Sequence, residues 1–176
     1  MGTHEAQRPR SLQMNDQVLG KAPGIAGLLV YINEKIGVGA VLSLYWFLFW
    51  LLNGFDKFFN DAEFYGVNFK MGLEQNMLPK LGLDTSLAAP LAVIVGVIEV
   101  GLGLLFLLSL IAFVTRKPHR YEVGHACIVL SVLFFALLSA GAILLGERGH
   151  VMTQGLFIGT LLVSGLTLHV SNKAST

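Results

Sequence analysis

Four long apolar runs, at about Gly37–Phe58, Ala88–Val114, Val123–Gly146 and Val151–Val170, take up more than half of this 176-residue chain. A helix needs about 20 apolar residues to cross roughly 30 Å of hydrocarbon, and within lipid a helix satisfies its own backbone polar groups. The expectation is an all-α, integral membrane four-helix bundle, multi-pass, with the lipid bilayer as its surroundings. With 54% hydrophobic and 13% charged residues, the chain sits well below the roughly 25% charge of soluble domains. Residues 37–170 form the expected transmembrane domain, and 171–176 a short C-terminal tail. Residues 1–36 read as a polar N-terminal tail, with 24–36 (GIAGLLVYINEKI) an interfacial helix or a continuation of span one.

Charge and cysteine usage remove several function classes. A net charge of +1 leaves no basic footprint for nucleic acid. The single cysteine, Cys127, excludes an internal disulfide, a paired-cysteine redox motif and a cysteine zinc cluster. No hydrolase triad, phosphate-binding glycine loop or zinc-protease motif is present, so no metal site is expected. The first 35 residues are polar and basic and lack a signal-peptide core, so span one is expected to act as its own insertion signal. Arg8, Arg10, Lys21 and Lys35 precede span one, and Arg116, Lys117 and Arg120 fill the second loop. Lys/Arg bias places such segments inside, so both termini are expected in the cytoplasm, in the cell inner (plasma) membrane.

One interior charge stands out. Glu99 lies within LAVIVGVIEVGLGLLFLLSL, where an ionised carboxylate is costly and is kept neutral, paired or turned into a protein-lined cavity. Ala92, Gly96 and Gly103 stand at −7, −3 and +4 from it, on one helical face. Small residues admit a close neighbouring helix, so Glu99 is expected to face protein. Two roles remain open for it: a hydrogen-bonding strut, or a proton-handling or ligand-binding carboxyl.

Span one carries a second ordered face. Trp46, Trp50, Asn53 and Lys57 follow one another at helical spacing. Two mid-span indoles leading to an amide and an ammonium could line a pocket for a quinone-type headgroup; the simpler reading is aromatic packing against span two or four. With the outer boundary at Pro90, where span one ends and span two begins, Glu99 lies roughly 13 Å below it at 1.5 Å per residue. Lys57 then meets Glu99 directly only if span one dips, and a bridging water or ligand is the other solution. Asp56, beside Lys57, is expected to face the outer water, because successive helical residues point apart. Span four offers a polar seam of Thr153, Thr160, Ser164 and Thr167 with a Gly155/Gly159 pair on an adjoining face. Glu147, Arg148, His150 and Gln154 cluster at its outer end. His125 and His169 either cap polar boundaries or face one another as haem ligands. The first loop, about 59–87, strings Phe59, Phe64, Tyr65, Phe69, Leu73 and Leu78 among charges, which suits an element lying on the outer face of the bundle.

Two short motifs resemble the DoxX-like superfamily of small four-helix membrane proteins (DoxX, DoxD and YkgB types). They are Gly54-Phe55-Asp56-Lys57-Phe58, closing span one, and Gly96-Val97-Ile98-Glu99-Val100-Gly101-Leu102-Gly103-Leu104 in span two. The resemblance covers about residues 37–170 and carries over Lys57 and Glu99. It implies a membrane subunit of a quinone-linked oxidoreductase system, with other membrane or redox subunits as partners and often no cofactor of its own. Glu99 and Lys57 would then be the catalytic candidates, and Trp46, Trp50 and Asn53 the headgroup pocket. No covalently bound cofactor is expected; quinone is the candidate ligand, and a homo-oligomer is compatible with the pattern. The alternative is a non-catalytic accessory subunit of a larger membrane complex, so whether the chain is itself an enzyme stays open.

Overall fold

The computed structural model describes residues 37–58, 69–144 and 148–173. The N-terminal tail with its candidate interfacial helix, the start of the first loop, and Glu147 lie outside them. All regular structure among the described residues is helical. Four helices are long and apolar enough to cross a membrane: α1 (Gly37–Phe58), α2 (Ala88–Val114), α3 (Arg120–Leu144) and α4 (Arg148–Lys173). α1 and α2 begin and end at the bounds expected from sequence. α3 begins at Arg120, ahead of its apolar run, and α4 extends past its run at both ends, because i→i−4 hydrogen bonding continues through polar side chains until a cap stops it.

Outward faces are apolar. Leu137 and Met152 are each 74% exposed, and Val97, Leu108, Leu133, Leu156 and Leu166 are exposed with them. So much open hydrocarbon surface would be untenable in water and fits a lipid bilayer. The inward faces are built differently. Trp46, Trp50, Phe106, Phe113, Cys127, Ile128, Phe135, Leu161 and Leu168 form one core. Across it, Ser43 and Ser109 hydroxyls pair at 2.9 Å, and the Trp46 indole N–H donates to Ser164 Oγ at 3.2 Å. These two bonds tie α1 to α2 and α1 to α4 inside hydrocarbon, where an unmade bond has no water to replace it.

The described part of the first loop folds back as short helical pieces. Phe69–Gly72 and Leu78–Lys80 flank a π-helical turn, Leu73–Met77. Gly82 takes a left-handed conformation (φ +66°), with Gly82 N–H bonded to Pro79 O and Leu83 N–H to Leu78 O. That is the hydrogen-bond pattern of a Schellman stop. Asp84 then accepts from Ser86 N–H at 2.8 Å and opens the turn into α2. Leu73 and Leu78 bury themselves against Ala88 and Ala92, so the loop packs on the first turns of α2.

Candidate functional site

The chemistry converges where α1 ends. Gly54 and Gly96 let α1 and α2 approach backbone to backbone: a Cβ on Gly54 would stand 2.8 Å from Val100 N and 2.9 Å from Gly96 O. A Cβ on Gly96 would stand 2.9 Å from Lys57 Cβ, so the missing side chain makes room for the lysine stem. Farther along, Gly103 backs onto Leu51. With the Lys57 stem held beside Gly96, the end of α1 at Phe58 lies about two turns short of where α2 begins. Leu73 and Leu78 cover the stretch of α2 that extends beyond it.

This offset brings Lys57 and Glu99 together. Lys57 Nζ lies 3.1 Å from Glu99 Oε2, and both side chains are buried. The ammonium also donates to Asn53 O at 3.1 Å and sits over the Phe69 ring, 5.1 Å from its centroid. Beyond this ion pair Oε2 has no hydrogen-bond partner among the described residues, and a carboxylate oxygen so placed keeps acceptor capacity. Of the two solutions open from sequence, the structure takes the direct one, because α1 does dip.

Asp56 corrects an expectation. It is only 7% exposed, and interacts electrostatically with Glu99. Residues 56 and 57 point about 100° apart on a helix, yet both are covered, so the end of α1 is enclosed over a broad arc rather than open to outer water.

The other residues singled out in the sequence fall as follows. Ala92, Gly96, Glu99 and Gly103 are all buried, as their shared face requires. Trp46 and Trp50 are buried too, with their rings already in aromatic contact. Trp46 packs on Phe49 and Phe106; Trp50 packs on Phe49, Phe134 and Phe135. The Asn53 amide donates to Phe49 O, so it is the backbone of Asn53, not its side chain, that reaches Lys57. In the span-four seam, Thr160, Ser164 and Thr167 bond carbonyls of their own helix, and Ser164 also accepts from Trp46 on a neighbouring helix. Gly155 and Gly159 face open space and pack against no described helix. His125 and His169 meet edge to face, centroids 6.3 Å apart.

Sequence reasoning gave Phe69 a place on the outer face but no part in the site, and gave Ser43 and Ser109 no role. The serines had a readable signal, since Ser43 stands one turn from Trp46 and Ser109 three residues from Phe106, on faces already marked as inward. Phe69 had none, as loop aromatics anchor to an interface as readily as they cover a cation. Outside the spans, the backbone and side-chain hydrogen bonds from Ser86 hold the Asp84 carboxyl below its usual range. Among the described residues no group of three or more His, Cys, Asp or Glu is placed to hold a metal ion. No family model, curated protein or solved structure matches the chain.

Proposed function

We propose that this chain is a membrane subunit of a quinone-linked oxidoreductase system, with the Lys57–Glu99 pair as its working site. The observation that carries the reading is an ion pair of 3.1 Å within a helix otherwise apolar around Glu99. Charged groups at such depth are expensive and are associated with proton and ligand handling. In this reading Glu99 accepts or relays a proton, and Lys57 offsets the carboxylate's charge. Because both indoles are already packed, a quinone-type headgroup would approach from the side of Lys57 and Phe69 rather than stack on Trp46 or Trp50. The resemblance to the DoxX-like superfamily supports the same two residues, since both motifs carry them. The chain would sit in the inner (plasma) membrane with both termini in the cytoplasm, alongside other membrane or redox subunits.

The close glycine packing and the enclosed tryptophans favour a second reading, a non-catalytic accessory subunit in which Lys57–Glu99 clasps α1 to α2. Glu99→Gln separates the two, because it keeps size and hydrogen-bonding capacity while removing the titratable proton. The variant would be purified in mild detergent with its co-purifying subunits, and quinone-linked turnover measured. The proton-handling reading expects normal assembly and a loss of turnover of about 100-fold or more, the range for removal of a positioned acid–base group. Normal assembly with unchanged turnover establishes the clasp instead.

A further inference from the structure

Aromatic contacts set the helix registers near the middle of the bundle. Phe49 packs on Phe135 and Phe157, Trp50 on Phe135, and Phe135 stacks on Phe157. Together they form a floor spanning α1, α3 and α4. One turn from this floor, towards the Lys57 end, each helix presents a polar residue: Asn53 on α1, Ser139 on α3 and Gln154 on α4. On α2, one turn from Gly103, it is Glu99. The helical registers set by these contacts bring all four to one level.

At this level or in the floor beside it, Trp50 Nε1, Ser139 Oγ and Gln154 Oε1 are buried with no hydrogen-bond partner among the described residues, and Glu99 Oε2 has none beyond its ion pair with Lys57. Each comes from a different helix, and they include a pure donor, two acceptors and a hydroxyl that does both. Buried polar atoms are rarely left orphaned, so a set drawn from all four helices at one depth calls for a common partner. Ser131 Oγ is the instructive contrast. It too lacks a partner, but it lies on the far side of the floor. The polar groups nearest its level are already bonded, Ser43 to Ser109 and Trp46 to Ser164. A buried water needs about two to four polar partners, which the Asn53 level supplies and the Ser131 level does not.

We propose that the Asn53–Glu99–Ser139–Gln154 level is a hydrated chamber, in which a small cluster of ordered water connects Glu99 to the α3–α4 end of the bundle. Water in the chamber accepts from Trp50 Nε1–H, donates to Gln154 Oε1 and Glu99 Oε2, and exchanges bonds with Ser139. A proton moves by relay: the water beside Glu99 releases one proton to Oε2 and is reprotonated by the next water. The aromatic floor closes the chamber towards the middle of the bundle. This deepens the proton-handling reading of Glu99 by giving it a route, but the hydration is testable with no redox partner present.

The unmodified protein in detergent micelles gives the first test, through hydrogen–deuterium exchange of its two indole N–H groups. Trp46 is bonded to Ser164 and serves as the internal reference, so Trp50 should exchange about tenfold faster or more. Equal protection of the two indoles overturns the chamber. The second test uses a small cationic methanethiosulfonate on single cysteines in a Cys127→Ser background, since only a hydrated thiol ionises and reacts. Ser139→Cys and Gln154→Cys should be modified. Ser131→Cys, beneath the floor, and Leu137→Cys and Leu156→Cys, on exposed apolar faces, should stay inert. If residues 139 and 154 are as unreactive as those three, the level is dry and the proposal fails, whatever the turnover of Glu99→Gln.

Discussion

Removing Lys57 and Glu99 singly and together tests whether the site is held by mutual charge compensation. At the observed 3.1 Å, an effective dielectric of about 20 gives roughly 5 kcal/mol of attraction, a ceiling before desolvation is subtracted. Truncating one partner of a buried pair typically costs about 3–5 kcal/mol, because the other charge is stranded. The structure makes the two losses unequal. After Glu99→Gln, the ammonium still has Asn53 O and the Phe69 ring, and the new amide oxygen can accept from it. After Lys57→Met, Glu99 keeps no described cation in contact. Lys57→Met should therefore be the more harmful by about 1 kcal/mol, the worth of a hydrogen bond or a cation–π contact. The double variant strands nothing and should fall short of the summed single losses by about 2–3 kcal/mol. Unfolding by SDS in mixed micelles can be followed by tryptophan fluorescence, because Trp46 and Trp50 both sit in the core. Additivity within about 0.5 kcal/mol would refute the coupling and leave Lys57 as a lysine whose stem merely packs along α2.

Three further outcomes follow from the same geometry. Gly96→Ala should cost about 1–3 kcal/mol by overpacking against Gly54 O and the Lys57 stem, whereas Gly159→Ala, which meets nothing within 4 Å, should be neutral or stabilising by up to about 1 kcal/mol; the same SDS titration compares them. The proposed topology, with both termini cytoplasmic, expects cysteines at Leu83 and His119 in a Cys127→Ser background to be labelled by an impermeant reagent from opposite faces of the membrane, and labelling of both from one face would reject it. Asp84 is ionised more readily folded than unfolded, so its support of the Thr85–Leu87 turn is present at neutral pH and fades only as the pH falls below about 4, the ordinary aspartate range; protection of the Ser86 amide against exchange should drop across that window and be absent throughout in Asp84→Ala.

What the sequence discloses and what it withholds divides along a physical line. Residues that share a helical face are fixed by the 100° step alone. The burial of Ala92, Gly96, Glu99 and Gly103, and of Trp46 and Trp50, was therefore legible from spacing. How far one helix slides along another is not contained in that step. Hydropathy sets both ends of the first loop at one plane, which parts Lys57 from Glu99 by more than a side chain's reach. The Gly54–Gly96 contact overrides that plane, and Leu73 and Leu78 cover the overhang it creates. Asp56 was misplaced for a related reason: helical phase says where a side chain points, not what lies there. The polar level shows the same limit most sharply. Ser139 and Gln154 belong to separate helices with no shared motif. Only the stacking of Phe135 on Phe157 and the packing of Phe49 on both bring them level with Asn53 and Glu99. Sequence periodicity named the carboxylate, but interhelical register determines which polar groups stand beside it, and so whether its proton has a path.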